Sequence, residues 1–251
     1  MVGIIQKRRQ IHTECAELKL CYSNLCYSFN LIKMTITFKN LGEGIYSATD
    51  AHRILGLPFA KTKYWFEYYA KHKLFGSVGH QYHFTVKDTV AVNFLSLIEM
   101  YVFFALKENK IKTQTIVQAH KTMAEILNTP YPFAKEDIYI GKELVFDNKG
   151  TLITADKSQS LVISEFIKSQ SKKITFDDKR LAHKFYPLGK DRTVVVNPQN
   201  QFGQPIIEGT NILSETLYNL YLGGDSKEFI AKLYNITPQN VIDAIEFSKA
   251  A

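Results

Sequence analysis

The most apolar stretch of the chain, Thr89–Leu106, constrains the fold more than any other segment. Asn93, Ser96 and Glu99 interrupt it, and a carboxylate near the centre of a bilayer costs roughly 2.5 kcal/mol or more, which disfavours a transmembrane span. As a helix the stretch is apolar nearly all round, which is too apolar for a helix with one face in water. It is therefore predicted to form either the core of a large domain or half of a homodimer interface.

Hydrophobic periodicity predicts two helices and a hairpin in this central part of the chain. The first helix begins with Asp88 as its N-cap and extends to residue 108, and the second covers 113–127. Alternation with a period of two then predicts a hairpin in which Leu144–Phe146 pairs with Leu152–Thr154.

The composition is that of a soluble folded protein without the signatures of common enzymes. Of 251 residues, 45% are hydrophobic and 22% are charged, and Lys plus Arg exceed Asp plus Glu by 31 to 24. The resulting net charge of +7 favours anionic partners such as nucleic acid. The sequence contains no GxSxG, P-loop, HExxH or Rossmann motif, so we predict a protein that is not an enzyme, with no catalytic residues, metal site or cofactor.

The first 33 residues differ from the rest of the chain. They contain all three cysteines, Cys15, Cys21 and Cys26, and the cysteine-free remainder suits a reducing cytosol, so we expect a cytoplasmic location. We predict that residues 1–33 are a disordered extension and that the functional chain begins near Met34. An ordinary flexible N-terminal arm, translated from the first methionine, is the alternative.

The segment that follows residue 43 carries the pattern of a helix-turn-helix. Ser47 is a candidate N-cap with Asp50 in capping-box position, which predicts a helix over Ala48–Leu55. Gly56 permits a left-handed turn, and a second helix is predicted over Ala60–Tyr69.

Two short strands around a glycine-containing turn at 76–79, the second of them at Tyr82–Val86, would add a wing to this module. In such modules the first turns of the second helix enter the major groove, and helix N-termini favour phosphate. The predicted DNA-contacting residues are Lys61, Thr62, Lys63 and Tyr64 on that helix, together with Arg53, Lys71, Lys73 and His80.

This arrangement resembles the winged helix-turn-helix domain of MerR-type regulators. In that family the second helix carries a Thr-x-x-Trp-like signature, matched by Thr62-Lys63-Tyr64-Trp65, in which we assign Trp65 to core packing. Lys63 stands at a position that is often apolar and Tyr64 at one that is often Arg, so the family's DNA-reading residues are not transferred to this chain. The resemblance implies a DNA-binding domain over 34–88.

The sequence pattern over 185–250 predicts a strand, a Gly/Pro-rich turn and a second strand, followed by three helices. The first strand is Val194–Val196, and Gly209 is available for a positive φ. The helices are predicted over 214–222, 227–234 and 238–247. Their predicted N-caps include Ser226 and Thr237, and their predicted core residues are Leu217, Leu220, Phe229, Ile230, Leu233, Val241, Ile242 and Ile245.

This module is similar to a small bacterial family, the domain of unknown function numbered 433. Members carry Gly-x-Pro-x-Ile-x-Gly-Thr-x-Ile before a helix-turn-helix, matched here by Gly203, Pro205, Ile207, Gly209, Thr210 and Ile212. With Tyr186-Pro187-Leu188-Gly189 upstream and the N-terminal module, the pattern resembles the longer VapB-type antitoxins of this family. The resemblance implies a transcription-regulating antitoxin encoded beside a PIN-like ribonuclease toxin.

Charge is distributed unevenly along the chain. Residues 50–90 carry six basic and three acidic side chains and 168–192 carry eight and three, whereas 203–251 carry three and six. The net negative charge of the last segment, 203–251, disfavours binding to DNA. We therefore expect it to pack, dimerise or contact a basic partner, while 44–88 binds DNA. The charges of the basic segment either follow phosphates or face solvent.

These observations predict a mainly helical protein with small β elements. Its predicted parts are an extension (1–33), a winged helix-turn-helix (34–88), dimerisation helices plus a β-hairpin (89–170), a basic linker and strand (171–196) and a C-terminal helix-turn-helix domain (197–251). The predicted function is a homodimeric antitoxin and autorepressor that binds double-stranded operator DNA, contacts a cognate PIN-like toxin directly and has no membrane partner. The alternatives are a DNA-binding regulator without a toxin and a non-catalytic adaptor.

Overall fold

The computed structural model describes much of the chain from residue 43 onwards. Every described residue belongs to one unit of the chain, Phe38–Ala251. The described ranges are 43–69, 83–86, 89–108, 110–135, 145–146, 152–153 and 171–250. The predicted extension over 1–33 lies outside them.

Two short helices form the first helical hairpin, α1 at Ala48–Leu55 and α2 at Phe59–Tyr64. The predicted capping box begins α1: the Ser47 hydroxyl accepts the backbone N–H of Asp50 at 3.2 Å, and the Asp50 carboxylate accepts the backbone N–H of Ser47 at 2.9 Å. Gly56 ends the helix in the left-handed conformation, with a φ of 63°. The predicted helix, cap and turn are therefore confirmed.

The second helix differs from the prediction in its C-terminal half. After Tyr64 the chain continues as a π-helical turn, Trp65–Tyr69, where the sequence predicts a regular helix. Trp65 is fully buried, as predicted, and Phe66 is buried beside it, with the two rings edge to face at 5.9 Å. A regular α-helix turns consecutive side chains about 100° apart, and we attribute the wider turn to the burial of two adjacent aromatic rings.

A three-stranded antiparallel sheet lies next to this hairpin, in the order β1-β3-β2. Its strands are β1 at Tyr46–Ser47, β2 at His83–Val86 and β3 at Thr89–Val92. The sequence predicts a helix that starts at Asp88, and this prediction is wrong for 89–92. Those residues are rich in β-branched side chains, and β1, which is distant in sequence, supplies a strand partner. The second strand predicted for the wing is present as β2, but it pairs with β3. The first predicted wing strand and the turn at 76–79 lie outside the described residues, so the wing stays a prediction.

The long apolar helix, α3 at Phe94–Glu108, lies inside the chain's own core. Ten of its fifteen residues are buried, so little apolar surface remains for a second copy of the chain. Of the two alternatives for this segment, this burial favours the core of a large domain, and a homodimer interface in this part of the chain stays a prediction. Among the described residues, α3 included, each helix is too short or too polar to cross a bilayer.

The other central elements match the sequence patterns. The second central helix, α4, covers Thr113–Ile126, one residue shorter than predicted. The predicted hairpin is also present, with β4 at Val145–Phe146 paired antiparallel to β5 at Leu152–Ile153.

A four-stranded antiparallel sheet, in the order β6-β7-β8-β9, occupies much of the segment predicted as a basic linker and one strand over 171–196. Three of its strands fall there, so the linker prediction is wrong. Buried Ile174 and Phe185 alternate with partly exposed polar residues such as Lys184. The positive charge of this segment therefore lies on the more solvent-exposed face of the sheet. The strands are Ile174–Phe176, Ala182–Phe185, Val194–Val196 and Pro205–Ile207.

Three helices end the described chain: α5 at Ser214–Leu222, α6 at Lys227–Tyr234 and α7 at Pro238–Ala250. Ser226 accepts a backbone N–H of the first turn of α6 at 3.2 Å, and Thr237 does the same for α7 at 3.3 Å. Both predicted N-caps are confirmed, and α7 extends three residues beyond its predicted end.

The core of these three helices contains only part of the predicted set. Leu217, Ile230, Val241 and Ile245 are buried, and Leu220 and Ile242 are partly buried. Phe229 and Leu233 are 53% and 58% exposed, so their assignment to the core is wrong. Apolar residues occur on more than one face of α6, and the face that carries Ile230 and Ala231 is the one that packs inward.

The central helices and the larger sheet share one hydrophobic core. It extends from Tyr46 on β1 through α3 to Ile174, Phe185 and Val196 in the sheet. The rings of Tyr101 on α3 and Phe185 on β7 meet edge to face at 4.9 Å. The first helical hairpin, the central helices and the larger sheet are therefore packed together, and the C-terminal helices form a second core with Val194 and Ile207 of the sheet.

Candidate nucleic-acid interface

Helix α2 presents three of the predicted DNA-contacting side chains to solvent. Lys61, Lys63 and Tyr64 are exposed, and Tyr64 keeps 54% of its accessible surface. The Lys63 ammonium lies 3.8 Å from the Glu67 carboxylate one turn later, an exposed pair that salt screens readily. The capped α1 helix packs behind α2, so these side chains extend from a supported helix.

Thr62, between the two lysines, does not face solvent. It is fully buried, and its hydroxyl donates to the carbonyl oxygen of Pro58 at 3.4 Å. Its prediction as a DNA contact is wrong, because consecutive positions on a helix point about 100° apart and Thr62 falls on the inner face.

Arg53 is engaged within the chain. Its guanidinium lies 3.2 Å from the carboxylate of Glu215 at the start of α5, so it links the first helical hairpin to the C-terminal helices. Both side chains are partly exposed, and such a pair contributes about 0–1 kcal/mol. Lys71, Lys73 and His80, also predicted as DNA contacts, lie outside the described residues.

A cleft of about 330 Å³ separates α2 from the end of α3. Lys61 and Tyr64 form one side, and Phe103, Phe104 and Lys107 lie on the other, with Glu108 and Thr113 completing the lining. Lys107 lines the same cleft as Lys61 and Tyr64, so it lies close to the predicted interface. More than forty residues separate it from them in the sequence.

The turn between α3 and α4 extends this basic surface. Lys107, Lys110 and Lys112 are all exposed, and the Lys107 ammonium donates to the carbonyl oxygen of Ile111 at 3.4 Å. The sequence prediction missed these three lysines. Their dense spacing over 107–112 is a local signal that could have identified them, but only the fold shows that Lys107 lines a cleft with Lys61 and Tyr64 of α2.

The backbone conformation and close packing at Gly203 explain why the C-terminal motif begins with a glycine. Its φ is +84°, and a Cβ atom there would lie 2.1 Å from the hydroxyl oxygen of Tyr46, well inside contact distance. The backbone N–H of Ile45 donates to the carbonyl oxygen of Phe202 at 3.3 Å next to this contact. The motif thus lets the C-terminal module approach β1 closely.

The remaining motif positions form the turn that follows β9. Pro205 begins this edge strand, where the missing N–H is tolerated. Gly209 adopts a φ of +76° with open space around it. The Thr210 hydroxyl donates to the Ile207 carbonyl oxygen at 2.8 Å and accepts the Ile212 N–H at 3.1 Å, which closes the turn. These residues shape the chain and do not contact the basic surface.

Asp243 anchors α7 to the start of β8. Its buried carboxylate accepts hydrogen bonds from the Arg192 guanidinium, the Thr193 N–H and hydroxyl, and the Gln239 amide at 2.7–2.9 Å. Arg192 also pairs with Glu246. Burial disfavours the charged carboxylate, but these hydrogen bonds outweigh it and lower the pKa of Asp243 below its usual value. Several polar groups of α7 are thus used within the chain.

Replacing Asp243 with asparagine is expected to lower the free energy of unfolding by about 2–3 kcal/mol, because Arg192 and Thr193 lose a charged acceptor. A carboxyl group with a lowered pKa contributes stability above its unfolded value and loses it as the pH falls. The difference between the two proteins should therefore shrink below about pH 3.8 in urea titrations. A difference that stays constant down to pH 2 would contradict the role of the charge.

A second buried polar group joins α3 to α4. The carboxylate of Glu99 lies 2.9 Å from Nε2 of His120 and accepts the backbone N–H groups of Phe133 (2.8 Å) and Ala134 (3.2 Å). Burial raises the pKa of Glu99, against the opposing effect of these partners. Neither Glu99 nor His120 reaches solvent, so we assign the pair to structure. The sequence shows Glu99 only as an interruption in an apolar stretch.

The described residues hold no cluster of three or more His, Cys, Asp or Glu side chains suited to a metal ion.

Comparisons with known proteins give a family match in the C-terminal part of the chain and similarities to two Mycobacterium tuberculosis proteins. A family model described as "Protein of unknown function (DUF433)" matches residues 194–248. Over 91 residues the chain is 26% identical to a Mycobacterium tuberculosis protein named "Putative antitoxin VapB45", an alignment that spans 36% of this chain and 38% of that relative. The X-ray crystal structure of Rv2018 from Mycobacterium tuberculosis matches with a TM-score of 0.63 and 19% identity, covering 80% of this chain and 96% of that one.

The relative named as a putative antitoxin is similar to this chain over well under two thirds of its own length. The family model covers the predicted motif positions Gly203, Pro205, Gly209 and Thr210, so the resemblance to the 433 family is confirmed for that part of the chain. The likeness to Rv2018 concerns the fold, which is mainly helical with small antiparallel sheets as predicted. The MerR-like character of 34–88 stays a prediction.

Proposed function

We propose that the chain is a DNA-binding antitoxin that represses its own promoter and neutralises a PIN-like ribonuclease toxin by direct contact. The observation that carries the DNA-binding part is the exposure of Lys61 and Lys63 on α2, directly after a capped helix and a left-handed glycine turn. Similarity to a protein named as an antitoxin supports the toxin-related part.

Phosphate contacts supply much of the affinity of a DNA-binding protein, and they come from basic side chains on one surface. Lys61 and Lys63 provide two such charges, and the α3–α4 turn provides others beside them. Tyr64 is exposed at the same site, where its hydroxyl can donate to a phosphate oxygen. The proposed interface therefore combines α2 with a lysine-rich turn.

The C-terminal helices have a different role in this proposal. Their segment, 203–251, is net acidic, and Asp243 on α7 accepts hydrogen bonds from Arg192, just before β8, and from Gln239 on the same helix. An acidic surface repels DNA and attracts a basic protein. We assign toxin contact to this module.

Reversing the charge of both α2 lysines, in a K61E/K63E variant, is expected to abolish repression of a reporter fused to the DNA upstream of the gene. Two cationic contacts become repulsive ones, which weakens binding at least about a hundredfold. K227E/K249E in the acidic module makes the same change in total charge and should leave repression intact. Unchanged repression by K61E/K63E would exclude α2 as the DNA-binding element.

The toxin-related part has a separate readout. Co-expression with the protein encoded beside this gene should rescue growth that the neighbour alone arrests, and K61E/K63E should rescue it equally well. Failure of the wild-type chain to rescue, together with intact repression, would leave a DNA-binding regulator without a toxin. Rescue that depends on Lys61 and Lys63 would contradict the division of roles.

The lysines of the α3–α4 turn should contribute to DNA binding as well. We expect K110E/K112E to weaken binding to the upstream fragment about tenfold in fluorescence anisotropy, less than K61E/K63E, because the turn lies beside the helix that enters the groove. Affinity equal to that of the wild type would confine the interface to α2 and contradict the extension.

A further inference from the structure

Helix α6 exposes an apolar stripe that the core does not use. Phe229 and Leu233 are four residues apart, so they lie on the same face, and they are 53% and 58% exposed. Ile230 and Ala231 form the buried face of the same helix. Two large side chains exposed side by side on a short, well-capped helix are typical of a contact surface.

The charged residues beside this stripe have a self-complementary order. Glu228 precedes Phe229 and Lys232 precedes Leu233, so both charges lie on the same flank of the stripe, one turn apart. Both side chains are exposed, and neither has an ion-pair partner among the described residues. If a two-fold axis perpendicular to the helix relates two copies of the chain, their α6 helices run antiparallel, and this flank lies on the same side of the pair in both copies. Glu228 of one copy then faces Lys232 of the other, twice.

We propose that α6 is a homodimer contact, in which two copies of the chain pair their α6 helices antiparallel. Phe229 of one copy packs against Leu233 of the other, and two Glu228–Lys232 ion pairs flank this apolar centre. Most of α3, where the sequence suggests a dimer face, is buried within the chain, whereas the α6 stripe is exposed. This inference depends on neither the DNA-binding nor the toxin-related part of the proposed function.

The charge pattern favours a second copy over a different protein. A surface evolved for one basic partner would carry acidic groups alone, whereas this flank carries one charge of each sign in an order that matches its own reverse. An interface centred on one eight-residue helix is small, so the dimer is expected to be weak and reversible, with dissociation in the micromolar range.

Sedimentation equilibrium of the full-length chain tests the charge pairing. The wild type should self-associate to twice the chain mass. E228K and K232E should each raise the dissociation constant about tenfold, and E228K/K232E should restore it to near the wild-type value. F202S, which removes another exposed aromatic side chain, is the matched control and should dimerise normally.

Cysteine cross-linking tests the antiparallel register. In a background with Cys15, Cys21 and Cys26 changed to serine, F229C chains mixed with L233C chains should form mixed disulfide dimers faster than either variant alone. Circular dichroism would show that each variant is folded.

Three results would each overturn the proposal: a wild-type chain that stays monomeric at 100 micromolar, a double charge swap that fails to restore the dimer, or F229C chains that cross-link fastest with themselves. Formation of a complex with the neighbouring gene's product that L233E abolishes, with no dimer of the wild type alone, would likewise overturn it and assign α6 to that partner.

Discussion

Replacing Glu99 with alanine is expected to lower the free energy of unfolding by about 3–5 kcal/mol, the largest effect of any single substitution considered for this chain. The carboxylate is fully buried, and it is the acceptor for the N–H groups of Phe133 and Ala134 and the partner of His120. Its removal leaves these groups enclosed without that acceptor, and it opens a cavity between α3 and α4. Urea denaturation followed by circular dichroism measures the loss.

Glu99→Gln is the matched control, because the amide keeps an oxygen directed at the same N–H groups. Its cost should be about 1–2 kcal/mol. Burial raises the pKa of Glu99, so the folded chain keeps a proton at pH values where the unfolded chain has lost it. The stability that Glu99 contributes therefore declines as the pH rises above 4.5, a trend that the glutamine variant lacks. A glutamine cost equal to the alanine cost would contradict the account, because it would show that an oxygen acceptor of the same size at this position preserves none of the stability.

Replacing Gly203 with alanine is expected to destabilise the chain by about 2–4 kcal/mol, the sum of a left-handed backbone and an overpacked contact. The new Cβ atom would lie 2.1 Å from the Tyr46 hydroxyl oxygen and 2.7 Å from its ring carbon. Gly209 is the matched control, since it has a φ of +76° but open space around it. Gly209→Ala should cost only about 1 kcal/mol in the same thermal or urea unfolding experiment.

Tyr46 provides a test by partial rescue. Its hydroxyl is buried with no hydrogen-bond partner among the described residues, so Tyr46→Phe alone should have little effect on stability. In the presence of Gly203→Ala, Tyr46→Phe removes the atom nearest to the new Cβ and should recover part of the lost stability. Strict additivity of the two substitutions would contradict a direct clash.

Elements specified by neighbouring residues were predictable from the sequence. The capping box of Ser47 and Asp50, the left-handed Gly56 and the N-caps Ser226 and Thr237 each depend on contacts within four residues. Their boundaries agree with the structure to within about three residues, the range expected for helix ends. Local hydrogen bonding is visible in a sequence because both partners stand within the same short window.

Elements that depend on distant partners were not predictable in the same way. Thr89–Val92 became a strand because β1, more than forty residues earlier, pairs with it. The basic linker became a sheet because its strands pair with each other and cover α3, which a count of lysines does not reveal. Phe229 and Leu233 were assigned to the core because apolar character alone does not identify the buried face of a short helix.

In the candidate site, too, local features were predictable from the sequence and features that depend on distant partners were not. Lys61, Lys63 and Tyr64 are exposed where the helix-turn-helix pattern placed them. Thr62 lies on the same first turns of α2 as the two lysines, but helical geometry turns its side chain inward. Lys107 and its neighbours were missed because only tertiary packing brings the α3–α4 turn next to α2.

The salt dependence of DNA binding tests the central claim most directly. The dissociation constant of the wild-type chain and of K61A/K63A for the upstream fragment would be measured by fluorescence anisotropy between 50 and 300 mM salt, roughly the range over which phosphate contacts weaken most visibly. If both lysines contact phosphates, the slope of log Kd against log salt should fall by about 2 in the variant, for every DNA sequence tested. An unchanged slope would contradict the account, because it would place the phosphate contacts elsewhere in the chain.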